Sequence, residues 1–339
     1  MSVLSTVDSG VFEFTLKSKL ALAKINTRRN ASYCYLKPMQ ALCLKKAITE
    51  DTLAVLPTGF GKSVIFEMLP QMMSTRAKAS AIIICTPLNS IIEEQLSRYG
   101  EQAVWVKKGA KNNQHFEQAK YTYAIGHPED LVQQDTFRNK FWQEKVSHIV
   151  VDEAHCIVQW GKDFRKDFLK LPTLLSLFSE AKVLALTATA TLQTREEISK
   201  TMLMKSPHII AASIDRPNLK LTVLKRPPVT GGKSTSESSF ASVLDPIIKE
   251  LEQEREHFKK TIVYGNLKHC GSGYEKCVRT VPSSLVTQYH AACKEEVKKQ
   301  IVKNMSSPGG PRLLFATEAY SMGTDAPDIR RIVHIGPPM

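Results

Sequence analysis

The chain has 339 residues, 42% hydrophobic and 23% charged, which suffices for two domains with separate cores and argues against long disordered stretches. No apolar run approaches the ~20 residues of a membrane span, and Met1–Gly10 lacks the basic-then-apolar pattern of a secretory signal, so no membrane partner is expected. Seven scattered cysteines fit a reducing compartment, and a net charge of +13 spread over small groups such as Arg28–Arg29 and Lys107–Lys108 fits either a charged groove or a solvated surface.

Residues 1–29 carry no motif and stand as an N-terminal extension. Beyond them, short aliphatic and β-branched runs at Thr52–Leu56, Ala81–Cys85, His148–Val151, Val183–Thr187 and Ile209–Ala212 predict buried strands. Amphipathic stretches at Ser63–Met73, Ile91–Tyr99 and Thr191–Leu203 predict helices between them. Such alternation predicts βαβ crossovers and a parallel sheet covered on both faces. Pro227–Pro228 and the polar run Gly231–Ser239 predict a flexible break. The alternation then resumes: a helix near Val243–Glu254, strand Thr261–Tyr264, a helix near Cys293–Met305, and strands Arg312–Ala316 and Arg331–Ile335. The predicted fold class is α/β with two parallel-sheet lobes: 30–213, a junction and linker over 214–240, and a second, partial lobe over 241–339.

Strand Thr52–Leu56 runs into Pro57–Thr58–Gly59–Phe60–Gly61–Lys62–Ser63, with a helical pattern directly after it. In that context Gly59 and Gly61 let backbone N–H groups approach a phosphate, aided by the helix N-terminus. Lys62 reaches the β- and γ-phosphates, Ser63 offers a hydroxyl to Mg²⁺, and Thr58 completes the loop. The similar Gly231–Ser234 is followed by a polar run without apolar periodicity and reads as linker. Strand His148–Val151 ends in Asp152–Glu153–Ala154–His155; adjacent carboxylates past a buried strand are costly unless they hold a metal or do chemistry. Asp152 is the candidate Mg²⁺ ligand, Glu153 the candidate base for a water attacking the γ-phosphate, and His155 a relay of nucleotide state. His269, Cys270, Cys277, His290 and Cys293 lack a recognised zinc spacing, and free cysteines are the expectation there.

The loop and the Asp–Glu–Ala–His tetrad together resemble superfamily 2 helicases of the DEAH type, and the residues that follow narrow the resemblance to the RecQ family. Cys156–Ile157–Val158–Gln159–Trp160–Gly161–Lys162–Asp163–Phe164–Arg165–Lys166–Asp167–Phe168 resembles that family's aromatic-rich loop, which couples single-strand DNA binding to ATP hydrolysis. Gln159 belongs to this loop, Trp160, Phe164 and Phe168 offer faces for base stacking, and Arg165 can pair with phosphate. Tyr33, Lys37 and Gln40 resemble the adenine-recognition motif, with lysine at 37 where arginine is usual. Thr86–Pro87–Leu88 and Gly126–His127–Pro128–Glu129 resemble DNA-contacting motifs, and Thr187–Ala188–Thr189 resembles the segment linking ATP state to DNA. In the second lobe the segment Ala316–Asp325 resembles a further motif, in which Thr317 contacts a phosphate and Gly323 and Asp325 face nucleotide and DNA.

The resemblance covers residues 30 to about 337 and implies two RecA-like lobes, ATP and Mg²⁺ as cofactors, and DNA, single-stranded or at a junction with duplex, as partner. It further implies ATP-dependent 3′-to-5′ unwinding in recombination and repair, and a nuclear location. In the family an arginine-bearing helix follows the strand that corresponds to Arg331–Ile335, whereas this sequence stops at Met339. The resemblance therefore leaves two expectations: a working helicase, or a nucleotide-dependent DNA-binding module with slow turnover.

Overall fold

The computed structural model describes residues 9–75, 78–108, 114–160, 166–213, 215–225, 232–320, 326 and 328–335, and the chain divides into two compact units, Met1–Pro217 and Asn218–Met339. Among the described residues no helix is long and apolar enough to cross a membrane.

The first unit is built on seven strands: β1 (Thr52–Val55), β2 (Ala81–Cys85), β3 (Ala103–Trp105), β4 (Tyr123–Gly126), β5 (Val146–Val151), β6 (Lys182–Thr187) and β7 (His208–Ala211). They form one parallel sheet in the order β3-β4-β2-β5-β6-β1-β7. All residues of β1 and β2 are buried, as expected for strands covered by helices on both faces. Helix α1 (Ser9–Arg29) precedes the sheet, followed by α2 (Pro38–Ala47), α3 (Lys62–Met73) and α4 (Asn89–Tyr99). Because β1, β2, β5 and β6 run parallel in the middle of the sheet, the loops after their C-terminal ends gather along one edge. That edge carries the Pro57–Ser63 loop and the Asp152–Glu153 pair.

The N-terminal residues read as an extension are integral to this unit. Ala21, Leu22 and Ile25 of α1 are buried in the same apolar cluster as Val64, Ile65, Met68 and Leu69 of α3. Their helical spacing gives α1 a stripe that closes one face of the sheet. On the other face a cluster of Phe116, Phe137 and Trp142 packs edge-to-face, with Phe137–Trp142 ring centroids 5.3 Å apart.

The second unit has a parallel four-stranded sheet in the order β11-β8-β10-β9, where β8 is Thr261–Tyr264, β9 Val286–Tyr289, β10 Leu313–Ala316 and β11 Arg331–His334. Its longest helix, Gly232–Glu254, occupies the run expected to be a flexible linker from 232 onward. Phe240, Leu244, Ile247, Ile248 and Leu251 form a buried stripe at helical spacing, and a helix anchored by that stripe extends through a polar run at little cost, since elongation adds one hydrogen bond per residue. Cys270 and Cys277 are buried free thiols, both pushed up by burial, to about 11 and about 12.

His148, fully buried in β5, donates from Nε2 to the Ala47 carbonyl at 2.7 Å and receives the Ser147 hydroxyl on Nδ1 at 3.0 Å. Burial holds its imidazole down to about 4, from an ordinary 6.5. Below pH 6.5 the unfolded chain takes up a proton that the folded unit refuses, so stability present above pH 6.5 is lost as pH falls toward 4, by up to about 3 kcal/mol. Urea unfolding of the wild type should therefore show a clear loss of stability between pH 7 and pH 5. The loss should be smaller in His148→Gln, and equal losses in both would remove His148 as the cause.

Candidate functional site

The loop joining β1 to α3 takes the shape its glycines allow. Gly59 and Gly61 have φ of 75° and 87°, in the left-handed region open to glycine, and the Phe60 amide donates to the Pro57 carbonyl at 3.1 Å to close the turn. Gly61 is also the N-cap of α3, so the backbone of Lys62 and Ser63 starts that helix and their amides point outward from its N-terminus. Gln40 of α2 braces the loop from behind: its Nε2 donates to the Phe60 carbonyl at 2.9 Å and the Gly61 carbonyl at 3.2 Å. A Cβ at position 61 would lie 2.7 Å from that nitrogen. Lys37 sits beside the same loop, with Nζ 3.3 Å from the Phe60 carbonyl and 4.8 Å from the centre of the Phe60 ring. Tyr33 and Thr58 are exposed.

Across the cleft, the turn after β5 is pinned to its neighbouring strands. The Asp152 amide donates to the Cys85 carbonyl and the Ala154 amide to the Leu186 carbonyl, both at 2.9 Å. Between these anchors Glu153 adopts φ of 52°, a left-handed conformation that costs a non-glycine residue on the order of 1 kcal/mol. Asp152 is buried and its carboxyl is raised to about 7, first by loss of water and then by the Glu153 charge, with Lys62 opposing. Glu153 is raised as well, mainly by burial and against the pull of Lys62. His155 is lowered by burial and by the Lys62 charge, which keeps it neutral near pH 7.

Gly59, Gly61, Lys62, Ser63, Asp152 and Glu153 line one cleft of about 270 Å³, together with Ile91, Glu94, Gln95 and Arg98 of α4. Lys62 Nζ rests 3.4 Å from the Leu56 carbonyl, a long contact that a phosphate oxygen can replace. From the same turn a polar chain leads away along the sheet. His155 Nδ1 lies 3.3 Å from Glu153 Oε2 and 2.9 Å from Thr187 Oγ1, and Thr187 donates to the Thr189 carbonyl at 3.0 Å. Thr187 is buried and Thr189 exposed, so the chain runs from cleft to surface. The donor set suits a hard divalent cation: a hydroxyl at Ser63 and a desolvated carboxylate at Asp152 whose negative charge lacks full compensation.

Three sequence-based site assignments need correction. Phe168 is completely buried in the apolar cluster that holds Leu171 and Leu174, so it presents no face to a base. Thr86 and Pro87 are also buried; the Thr86 carbonyl accepts from His127 Nδ1 at 2.9 Å, and the exposed groups at this strand end are Asn89 and Ser90. Thr86 and Pro87 directly follow β2 and turn into the core, whereas Phe168 lies in a short helical turn, Lys166–Lys170, whose inner side packs on the apolar cluster. The backbone of Gln159 and Trp160 closes a short helix, Cys156–Trp160, but their side chains lie outside the described residues, as do Phe164, Arg165, Gly323 and Asp325. Thr317, in the second unit, is half-buried directly after β10, with its amide donating to the Tyr289 carbonyl at 3.1 Å.

Arg29, Glu67 and Arg98 belong to the site's surroundings and were missed. The signal was present: Glu67 interrupts the apolar run Val64–Leu69 one turn after Ser63, and a carboxylate inside a buried helix needs cations from elsewhere. Arg29 and Arg98 supply them. Gly61→Ala should weaken binding of a fluorescent ADP at least about tenfold, since a Cβ there both strains φ and displaces Gln40. Equal affinities in a direct titration would show that the turn is not part of the nucleotide site.

A family model for the DEAD/DEAH box helicase matches residues 37–198, the segment that contains this cleft. The chain is 28% identical over 299 residues to the probable ATP-dependent DNA helicase RecS of Bacillus subtilis, covering 84% of this chain and 55% of the relative. It is 26% identical over 307 residues to the ATP-dependent DNA helicase RecQ of Pasteurella multocida, covering 85% of this chain and 43% of that one. The chain thus spans about half the length of these curated relatives. Among solved structures, Saccharomyces cerevisiae Dbp5 bound to RNA and ADP BeF3 superposes with a TM-score of 0.66 at 15% identity, covering 94% of this chain and 78% of the other, a likeness of fold alone.

Proposed function

We propose that this chain, whose residues 37–198 match the DEAD/DEAH box helicase model and which has RecQ-type DNA helicases among its relatives, binds ATP with Mg²⁺ in the β1–α3 cleft and uses hydrolysis to move on DNA. The observation that carries this reading is the pair of buried Asp152 and half-buried Glu153 facing Lys62 and Ser63 across a cleft whose floor is a left-handed glycine turn. Lys62 leaves the Leu56 carbonyl for the phosphates, and the loop amides take the remaining phosphate oxygens. Ser63 and Asp152 hold Mg²⁺, which when bound offsets phosphate charge. Glu153, raised by burial, is a stronger proton acceptor toward water than an exposed carboxylate. Gln40 and Lys37, both on the Phe60 end of the loop, are assigned to the base together with Tyr33 on the strength of the motif.

His155 and Thr187 carry the state of this turn toward Thr189 at the surface through neutral hydrogen bonds. Trp160 and Phe164 stack bases and Arg165 meets phosphate in the coupling loop, an assignment that rests on the motif and on stacking chemistry. In the second unit Thr317, Gly323 and Asp325 are assigned to phosphate and DNA on the same basis. DNA is preferred over RNA because the named bacterial relatives are DNA helicases. The direction of travel, 3′ to 5′, and the use in recombination and repair follow the RecQ resemblance.

The test is single-strand-stimulated ATP hydrolysis by this chain. Lys62→Ala should reduce turnover at least about a hundredfold, because it removes the one lysine that lines the cleft among the described residues. Trp160→Ala should lose most of the stimulation by DNA. Nucleotide and strand binding with no turnover would instead assign a nucleotide-dependent DNA-binding module, and turnover indifferent to Lys62 would remove the cleft assignment altogether.

A further inference from the structure

Arg29 stands in the last turn of α1, ahead of the segment that matches the helicase family model. Its guanidinium crosses to α3, where Nε donates to Glu67 Oε2 at 3.0 Å and Nη2 reaches both Glu67 Oε1 and the hydroxyl of Ser63, the latter at 2.9 Å. Glu67 is fully buried and takes two further donors, Arg98 Nη1 and the Tyr99 hydroxyl, each at 3.0 Å. A planar guanidinium held on both carboxylate oxygens has little freedom to turn. As long as it stays on Glu67 it stays on Ser63.

That hydroxyl is also the oxygen Mg²⁺ needs. A hydroxyl has two lone pairs, but a guanidinium and a divalent cation on one oxygen would stand within about 4 Å of each other, where partly buried like charges repel far more than in bulk water. We propose that Arg29 is a positioning residue that gates the metal: it holds the Ser63 hydroxyl in the metal-free site and must release it before Mg²⁺ can take that oxygen. Metal–nucleotide loading then loosens the end of α1 from α3. The inference rests on reading the β1–α3 cleft as the Mg²⁺·ATP site.

The surroundings are arranged for such a release. Glu67 Oε1 keeps Arg98 and Tyr99 when Arg29 departs, so the carboxylate retains a cation and a hydroxyl, and the oxygen that loses its donor is Oε2. A hollow of about 470 Å³ bounded by Arg28, Tyr33, Glu94 and Arg98 gives the side chain room to move. Helix α1 stays docked through Ala21, Leu22 and Ile25, so the change is confined to its last turn.

The experiment uses the full chain and fluorescent ADP. Binding is measured first in EDTA and then during a Mg²⁺ titration, with each protein's Mg²⁺ effect taken relative to its own metal-free affinity. If Arg29 gates the metal, Arg29→Met should lower the half-saturating Mg²⁺ concentration about tenfold, and Arg29→Lys, which keeps charge but loses the fork, should fall between. A residue that only clasped α1 would leave the Mg²⁺ requirement equal or raise it, and either result overturns the proposal. Should Arg29→Met fail to fold, the wild type answers instead by amide exchange over residues 26–29. Exchange there should be faster with Mg²⁺ and ADP than with ADP in EDTA; equal or slower exchange overturns the gate. Wild-type protein that binds no ADP under either condition would refute the cleft assignment, a different failure from that of the gate.

Discussion

Two carboxylates side by side at the end of a buried strand cannot both stay ionised unless positive charge is close at hand, and much of the first unit is disposed around that fact. Asp152 and Glu153 leave β5 in the middle of a seven-stranded sheet, where solvent does not reach well enough to stabilise them. Their turn is anchored to β2 on one side and β6 on the other, which fixes the backbone from which both side chains project. The left-handed backbone at Glu153 is the conformational cost of aiming both groups into the cleft. Lys62 provides part of the missing charge from across the cleft, and the remainder is what makes the place suitable for a metal–phosphate ligand.

A second buried carboxylate, Glu67, extends the same logic backward along α3. It can lie fully buried because Arg29 arrives from α1, Arg98 from α4 and the Tyr99 hydroxyl beside it. Tyr99 and Tyr123 stack with centroids 4.2 Å apart, Tyr123 donates to the Glu67 carbonyl, and Arg28 lies over both rings. The N-terminal helix is thus tied to α3 by charge as well as by apolar packing. A segment without any motif of its own becomes part of the site's support.

Much of the fold was legible along the chain. The strands of both units that bear motifs, from Thr52–Val55 to Arg331–His334, stand within a residue or two of where aliphatic runs place them. The short strands Ala103–Trp105, Tyr123–Gly126 and Val286–Tyr289 were not, being brief and set among polar residues, where periodicity carries little information. Helix Gly232–Glu254 was read only from 243 onward, because its first turns are polar and are held in helix by the buried stripe that follows. Residues 9–29 show how a helix defined by its partner is easily overlooked: the stripe of Ala21, Leu22 and Ile25 has meaning only against α3.

The candidate site divides along the same line. Pro57–Ser63 and Asp152–His155 are contiguous, and their place after a buried strand follows from residue type, so the sequence alone determined the glycine turn, the carboxylate pair and the α/β class. Which side chains face the cleft and which enter the core depends on distant segments meeting, and only the tertiary structure decided that. It buried Phe168, Thr86 and Pro87, and it set Arg29 on the hydroxyl of Ser63. The reason is physical: short-range pattern reports the periodicity of one element, whereas burial and ion pairing are settled by packing between elements far apart in the chain.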